Sequence, residues 1–379
     1  MSEWKKVLLT DVSVKIGDGL HGTPIYDESG DYYFINGNNL LHGRVFIKPE
    51  TKKITKAEFD KIKKDLNSST LLISINGTIG NVSKYAYEKC ALGKSVCYIN
   101  LDENIILRDY FYYECLSDNF KSYLDNIATG TTIPNVPLKG LRSYEFRIPP
   151  ITEQKAIASV LSSLDDKIDL LQRQNKTLES MAETLFRQWF IEEDADDWEV
   201  IPLGKVVNIA YGKNLPTSKL TESGYPVFGG NGQIGFYHKY LYEKPQVLVS
   251  CRGEASGKVN ISLPNSFITN NSLILELIDN GITFEYLKYY SLNYDFKLHV
   301  SGSAQPQITI NGLFNADFKF PPLNKILFFS SIVKSSELKI FQNSVQINKI
   351  ENLRDTLLPK LMSGEVRVQY AEEVISSVV

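Results

Sequence analysis

The sequence predicts an α+β protein built twice. Two β-rich α/β units are separated by two long helices that form an antiparallel coiled coil, and an internal pseudo-two-fold repeat relates the halves. Three observations carry this: a 21-residue stretch recurs at a fixed offset, each copy ends in a Pro-Pro pair, and after each pair apolar residues recur in steps of four and three.

Residues 130–150 (GTTIPNVPLKGLRSYEFRIPP) and 302–322 (GSAQPQITINGLFNADFKFPP) agree at seven of 21 positions at an offset of 172. The identities are Gly130/Gly302, Pro134/Pro306, Gly140/Gly312, Leu141/Leu313, Phe146/Phe318, Pro149/Pro321 and Pro150/Pro322. Upstream, Trp4, Leu9 and Val12 face Trp198, Leu203 and Val206 at an offset of 194, so the first copy carries about 22 extra residues. A weaker echo pairs Ile73-Ser-Ile-Asn-Gly-Thr with Val249-Ser-Cys-Arg-Gly-Glu. Such self-similarity is read first because it decides the architecture.

The first unit, residues 1–150, reads as short strands with Gly/Asn turns, such as 71–75 and 95–99, plus a helix over 108–126. A spacer helix follows over 151–190, where Pro ends the preceding strand and Thr152 stands at the expected N-cap. Its ladder is Ile157, Leu161, Leu164, Ile168, Leu171, Asn175, Leu178, Ala182, Leu185 and Trp189, the 4-3 spacing of a coiled coil. Residues 191–197 form an acidic linker. The second unit, 198–322, repeats the pattern with strands 246–250 and 272–277 and a helix over 283–294.

The second spacer helix, 323–366, starts with Asn324 as its expected N-cap and carries Phe329, Val333, Ser336, Ile340, Asn343, Ile347, Ile350 and Leu357. Pro359 should kink or end it, and Gly364 is the expected stop, leaving 367–379 as a C-terminal tail. At about 1.5 Å per residue each helix would span on the order of 50–60 Å. The first helix delivers the chain to the second unit and the second helix starts from it, so pairing requires antiparallel helices and a C-terminus near the N-terminus. Asn175 and Asn343 lie near the helix centres, where a polar pair fixes register and lowers stability somewhat.

Of 379 residues, 43% are hydrophobic and 22% charged, with mean hydropathy −0.17, which is ordinary globular composition. Net charge is −3, so the chain lacks the overall basicity of many nucleic-acid binders. The negative charge is localised: residues 1–150 carry 19 basic and 18 acidic side chains, 198–322 carry 10 and 9, and 151–197 carry 5 and 11. The globular units are therefore able to present a basic face to a polyanion. Cys90, Cys97, Cys115 and Cys251 form no CxxC pairing, which argues against a zinc ribbon or a disulfide framework and for a reduced, cytoplasmic protein. No apolar run approaches a bilayer span, and the first ten residues do not read as a signal peptide.

The search for catalytic chemistry returns nothing. Gly230-Asn-Gly-Gln-Ile-Gly235 matches GxGxxG, but a strand rather than a helix is expected after it, so it reads as a β turn. Four histidines lack metal-ligand spacing, and Glu337-Leu-Lys339 lies on the coiled-coil helix without an acidic partner upstream. What remains is loop chemistry suited to reading a polymer. The first unit offers His21, Thr23, Asn36, Asn38, Asn39, Arg44, Asn76, Thr78, Lys94, Thr131 and Thr132. The second offers Lys213, Asn231, Gln233, Arg252, Lys258, Asn270, Asn271, Ser303, Gln305 and Gln307. Asn and Gln bond adenine bidentately and Arg bonds guanine, while Lys, Ser and Thr suit phosphates. The same residue types also form turns, so recurrence in both units carries the reading.

Several stretches together resemble the specificity (S) subunit of type I restriction–modification systems: Phe146-Arg-Ile-Pro-Pro-Ile-Thr-Glu-Gln154, Leu164-Asp-Asp-Lys-Ile168, Trp198-Glu-Val-Ile-Pro-Leu-Gly204, Tyr225-Pro-Val-Phe-Gly-Gly-Asn-Gly232 and Leu357-Leu-Pro-Lys-Leu-Met-Ser-Gly-Glu365. The resemblance covers nearly the whole chain. It implies two target recognition domains, each reading half of a split double-stranded DNA site, and a helical ruler between the half-sites, roughly 10 bp apart. Unequal halves imply an asymmetric target. It also implies a non-catalytic chain whose helices dock two methyltransferase (M) subunits, joined by restriction/translocase (R) subunits. S-adenosylmethionine, ATP and Mg would then bind those partners and not this chain. Two other readings stand beside it: a specificity subunit of another defence methylase or type II-like system, and a coiled-coil scaffold that does not touch DNA.

Overall fold

The computed structural model describes residues 4–130, 132–193, 198–302 and 305–378. It divides into two compact units, Met1–Leu170 with Val345–Val379 and Leu171–Ser344.

Unit 1 carries, in chain order, β1 (Lys5–Leu8), β2 (Ser13–Asp18), β3 (Tyr32–Ile35), β4 (Leu40–Leu41), β5 (Arg44–Val45), β6 (Lys53–Ile54), α1 (Lys56–Ile62), β7 (Thr70–Ser74), β8 (Val82–Lys84), β9 (Cys90–Leu92) and β10 (Val96–Leu101). Then come α2 (Arg108–Leu116), α3 (Asp118–Ile127), α4 (Leu138–Arg142), β11 (Glu145–Ile148) and the first part of α5 (Ile151–Arg187). An antiparallel sheet of order β2-β10-β7-β8 is its centre. Strands β7 and β10 are buried at every position, as expected of strands covered on both faces. A second sheet, β6-β3-β9, supplies one cover: Ile35, Cys90 and Leu92 pack with Leu72, Val96 and Tyr98.

Unit 2 repeats this plan. It contains β12 (Glu199–Pro202), β13 (Val207–Tyr211), β14 (Tyr225–Gly229), β15 (Gly232–Tyr237), β16 (Val247–Ser250), β17 (Val259–Ile261), β18 (Phe267–Ile268), β19 (Ser272–Leu277), α6 (Phe284–Asn293), α7 (Ile310–Phe314), β20 (Asp317–Phe320) and the first part of α8 (Leu323–Met362). Its sheets, β13-β19-β16-β17 and β15-β14-β18, mirror those of unit 1. Alternation sorts the central strands: Leu248 and Ile274 join Phe228 and Ile268, while Val247, Val249, Leu273 and Leu275 join the helical core around Tyr286, Leu287 and Phe318. The GxGxxG stretch is the β14–β15 hairpin, with Phe228 opposite Gln233 and Gly229 opposite Gly232.

The extra residues of the first copy are now placed. Asp18 corresponds to Tyr211 and Phe34 to Val227, but Leu72 corresponds to Leu248, so the offset drops from 193 to 176 between β3 and β7. That interval holds β4, β5, β6 and α1 in unit 1 and little more than β15 in unit 2. The rest of the difference falls where α3 in unit 1 stands against a single 3-10 turn, Phe296–His299, in unit 2.

Within unit 2, Asn343 Nδ2 donates to Asn175 Oδ1 at 2.8 Å, Phe186 meets Phe329 and Trp189 stacks on Phe328, so these segments of α5 and α8 run antiparallel. Asn343 also donates to Gln174 Oε1 at 2.8 Å. Ile157, Leu161, Leu164, Ile168 and Leu171 on α5, and Phe329, Val333, Asn343, Ile347, Ile350 and Leu357 on α8, are buried. Leu178, Leu185, Ser336 and Ile340 are half-buried. Phe186, Phe190 and Ile326, outside the ladder, are buried as well because they enter the core of unit 2. In unit 1, Trp4 packs against Gly364, bringing the two ends of the chain together.

Four local expectations are corrected. The carbonyls of Pro150 and Pro322 accept the first helical bonds, from Gln154 and Ile326, so the prolines cap α5 and α8 while Thr152 and Asn324 lie in the first turn. The helix expected over 108–126 breaks at Ser117, whose extended backbone and Oγ cap α3 through Phe120 N. Pro359 does not end α8: its carbonyl still accepts from Ser363 N, and the helix stops at Met362, just before Gly364 with φ +74°. The tail contains α9 (Val368–Val378), with Ala371 fully buried.

Each unit also fastens a globular helix to a spacer helix through a tyrosine and a carboxylate. In unit 1, Tyr113 Oη donates to Asp165 Oδ2 at 2.8 Å and Arg354 Nη1 to Asp165 Oδ1 at 2.9 Å. In unit 2, Tyr289 Oη donates to Glu337 Oε1 at 2.6 Å and Lys288 Nζ reaches Oε2 at 2.6 Å. The residue pairs Tyr113/Tyr289 and Asp165/Glu337 follow the repeat offsets of 176 and 172. The cation comes from α8 in one unit and from α6 in the other.

Candidate nucleic-acid interface

The two sequence echoes meet in space. In unit 1 the loop after β7 lies against the stretch before α4: Asn76 bridges Asn135, Gly77 N donates to Pro134 O at 3.0 Å and Val136 N to Ile75 O at 2.8 Å. In unit 2 the loop after β16 does the same: Arg252 bridges Gln307, Gly253 N donates to Pro306 O at 2.9 Å and Ile308 N to Cys251 O at 3.0 Å. Gly130 and Gly302, at φ +90° and +88°, start equivalent tight turns where a Cβ would collide with the Ile133 or Gln305 carbonyl. That close approach accounts for a glycine identity in the repeat.

A pocket of about 220 Å³ in unit 1 is lined by Asp18, His21, Asn76, Lys94 and Asn135 together with Ile75, Val136, Pro137 and Leu138. His21 Nε2 lies 2.5 Å from Asp18 Oδ2, and Asn76 Nδ2 donates to Asn135 Oδ1 at 3.2 Å. Asn36 joins the rim through Ser95, whose Oγ donates to Asn36 Oδ1 at 3.1 Å and accepts from Gly37 N. Thr23, Asn38, Thr78 and Thr132 are exposed on the flanking loops.

Unit 2 assembles the corresponding rim from Lys213, Asn231, Arg252, Lys258, Asn270, Asn271 and Gln307. Lys213 pairs with Thr269, Cys251 N donates to Asn271 O at 3.0 Å, and Lys258 Nζ donates to Asn231 O at 3.2 Å. Gln233 is exposed on β15, and Gln305 is exposed beside the Gly302 turn. Burial pushes the Cys251 thiol up, while the neighbouring Arg252 charge pulls the other way.

Two candidates belong elsewhere. Asn39 is buried: Nδ2 donates to Phe46 O and Thr51 Oγ1, and Oδ1 accepts from Asn36 N, so it shapes its loop. Arg44 is exposed but turned to α5, with Nη2 3.1 Å from Asp169 Oδ2. Thr131 and Ser303 lie outside the described residues. Asp18, Ser95 and Asn135 escaped the sequence reading, although the amide pair Asn135/Gln307 stands at the repeat offset of 172 and was findable there.

Among the described residues no group of three or more His, Cys, Asp or Glu stands together to hold a metal ion, and no helix is long and apolar enough to cross a membrane. The rims bring together amides, hydroxyls, lysines and Arg252, with the His21–Asp18 pair beside them in unit 1, side-chain types able to hydrogen-bond base edges and phosphates.

Comparison with known proteins agrees with this geometry. The chain is 27% identical to the type I restriction enzyme MjaIX specificity subunit of Methanocaldococcus jannaschii, over 97% of this chain and 94% of the relative. It is 26% identical to a putative type I specificity subunit of Mycoplasma genitalium, over 94% and 93%. The crystal structure of a type I restriction-modification S subunit from M. genitalium shares the fold, with a TM-score of 0.64 at 22% identity, covering 95% of this chain and 96% of that one. The family described as the type I restriction modification DNA specificity domain matches residues 1–180 and again 195–354, and the chain belongs to that family.

Proposed function

We propose that this chain is the DNA-reading subunit of a type I restriction–modification complex, each unit reading one half of an asymmetric two-part site in double-stranded DNA. One observation carries this: the same backbone scaffold presents a polar loop rim in both units, but with different side chains, Asn76, Lys94 and Ser95 in one and Arg252, Asn270 and Asn271 in the other. Equal scaffolds with unequal readers suit two different half-sites. Lysines on the rims would hold phosphates, and the amides and Arg252 would address base edges in the major groove.

Catalysis would belong to partners. The two long helices would dock two methyltransferase subunits, which bind S-adenosylmethionine and modify adenine, and restriction subunits would bring ATP and magnesium. Support for a protein partner comes from α8, where Leu323, Leu327, Phe328, Leu338 and Phe341 are exposed, more apolar surface than one soluble helix normally leaves to water. Action on cellular DNA would put the protein in the cytoplasm.

The test is methylome mapping of cells carrying this gene with its methyltransferase. A two-part N6-methyladenine motif that disappears on deletion of this gene is the expected result. Methylation that persists after deletion would reject the role. A scaffold that ignores DNA would show no duplex binding, whereas phosphate contacts give an affinity that falls steeply as salt rises.

A further inference from the structure

Residue-by-residue equivalence of the two rims makes a finer statement possible, resting on the DNA-reading role proposed above. We infer that Asn76 and Arg252 occupy the same base-reading position of the two units, and that this position selects adenine in the half-site of unit 1 and guanine in the half-site of unit 2.

The equivalence comes from the backbone. Both residues stand two positions past the central strand, both pair with the residue at the same place in the repeat (Asn135 and Gln307), and both precede a glycine in the left-handed region, Gly77 at φ +77° and Gly253 at φ +70°. The glycine amides donate to equivalent proline carbonyls, of Pro134 and Pro306. Two reading positions built alike but occupied by different side chains are what an asymmetric target requires.

The chemistry of each side chain then fixes the base. Asn76 Nδ2 donates one hydrogen to Asn135 Oδ1 at 3.2 Å. That bond orients the amide and leaves one N–H and the Oδ1 acceptor, the pair that matches adenine N7 and N6. Arg252 is exposed, and among the described residues its guanidinium makes no hydrogen bond or ion pair. Its parallel N–H groups match guanine O6 and N7.

The experiment is selection from a random duplex DNA pool by the complete chain with its methyltransferase, comparing wild type with Asn76→Arg, Arg252→Asn and Arg252→Lys. The expected result is a single-base change in one half-site per variant. Arg252→Asn loses the preference for guanine by about 5- to 150-fold, Asn76→Arg gains guanine in place of adenine, and the untouched half-site stays constant. Arg252→Lys keeps the charge but not the fork, so overall affinity holds while guanine preference drops. An unchanged consensus in the Arg252 variants, or affinity lost equally for all sequences with a shallower salt dependence, would make Arg252 a phosphate contact and overturn the inference. A wild-type complex that selects no sequence would instead overturn the DNA-reading role itself.

Discussion

Removing the Glu337 carboxylate probes how α6 is fastened to α8. Glu337 Oε2 lies 2.6 Å from Lys288 Nζ, and the side chains are 21% and 12% exposed. Tyr289 Oη donates to the same carboxylate at 2.6 Å, and burial, then this bond, pushes the phenol pKa up, so it stays a donor across the physiological range. Glu337→Ala leaves a nearly buried ammonium and a phenol without an acceptor. Breaking a fully buried pair costs roughly 3–5 kcal/mol. Residual solvent access reduces that to about 2–3 kcal/mol. Asp165→Ala in unit 1 should cost less, about 1–2 kcal/mol, because Arg354 keeps Asp355 at 2.9 Å and the pair is 28% and 29% exposed. Denaturant unfolding followed by tryptophan fluorescence separates the units, since Trp189 and Trp198 report on one and Trp4 on the other. A Trp4→Phe background isolates unit 2. The exposed pair Arg187–Glu192 of the same unit, broken by Arg187→Ala, serves as control. If Glu337→Ala moves the unit 2 transition no more than Arg187→Ala does, the carboxylate is not a structural latch.

Other outcomes follow from the same coordinates. Burial raises the Glu114 carboxyl above the ordinary range, with the 2.5 Å bond from Tyr144 Oη opposing. A raised native pKa means stability is fully present below the unfolded value and lost as pH rises through the folded one. Glu114→Gln should therefore remove that loss, visible as a flatter dependence of the unit 1 midpoint on pH above the ordinary carboxylate range. Burial, then Glu88, pushes the Cys90 thiol up to about 12 from an ordinary 9.0, so it stays protonated at pH 8. Iodoacetamide at pH 8 should leave Cys90 unlabelled until the chain unfolds, as peptide mapping would show. A methyl group on Gly19 or Gly212 would sit 2.2 Å from a backbone carbonyl oxygen, of Gly93 or Thr269. Either alanine variant should lose roughly 3 kcal/mol in calorimetry and blur only its own half-site in the pool selection.

The large-scale plan was legible because the repeat survives where geometry is strictest. Gly130/Gly302 sit in a turn that tolerates no Cβ, Pro150/Pro322 cap the long helices, and the ladder from Ile157 to Leu171 must stay apolar to be covered. The sheets were harder to read, because strands such as Val96–Leu101 are buried on both faces and lose the alternation that marks a strand. Loop residues were hardest. Asn39 and Asn38 are neighbours of one type, yet one is buried with its amide fully used and the other is exposed. Arg44 looked like a reader, but its partner Asp169 stands 125 residues away on α5. Composition gives no hint of such long-range pairing. Asn135 is the opposite case: alone it is one more loop asparagine, and only its alignment with Gln307 at the repeat offset of 172 marks it, a signal that the shared bridge to Asn76 and Arg252 explains.

The division of the chain has a consequence for the order in which the protein is made. Leu171–Ser344 is one uninterrupted segment, whereas the other unit joins residues 1–170 to the last 35, Val345–Val379. On a ribosome the domain begun first is therefore finished last. At about 5–20 residues per second, its α5 segment, with Asp165, waits roughly 9–38 s for Ile350 and Arg354 to be synthesised, and longer for them to clear the exit tunnel. A chain cut after Ser344 would hold every residue of the second unit and an open first one. Such a chain would keep the second unit's loops but not the helix that closes the first, so the path of the backbone ties the proposed two-part reading to synthesis beyond Ser344.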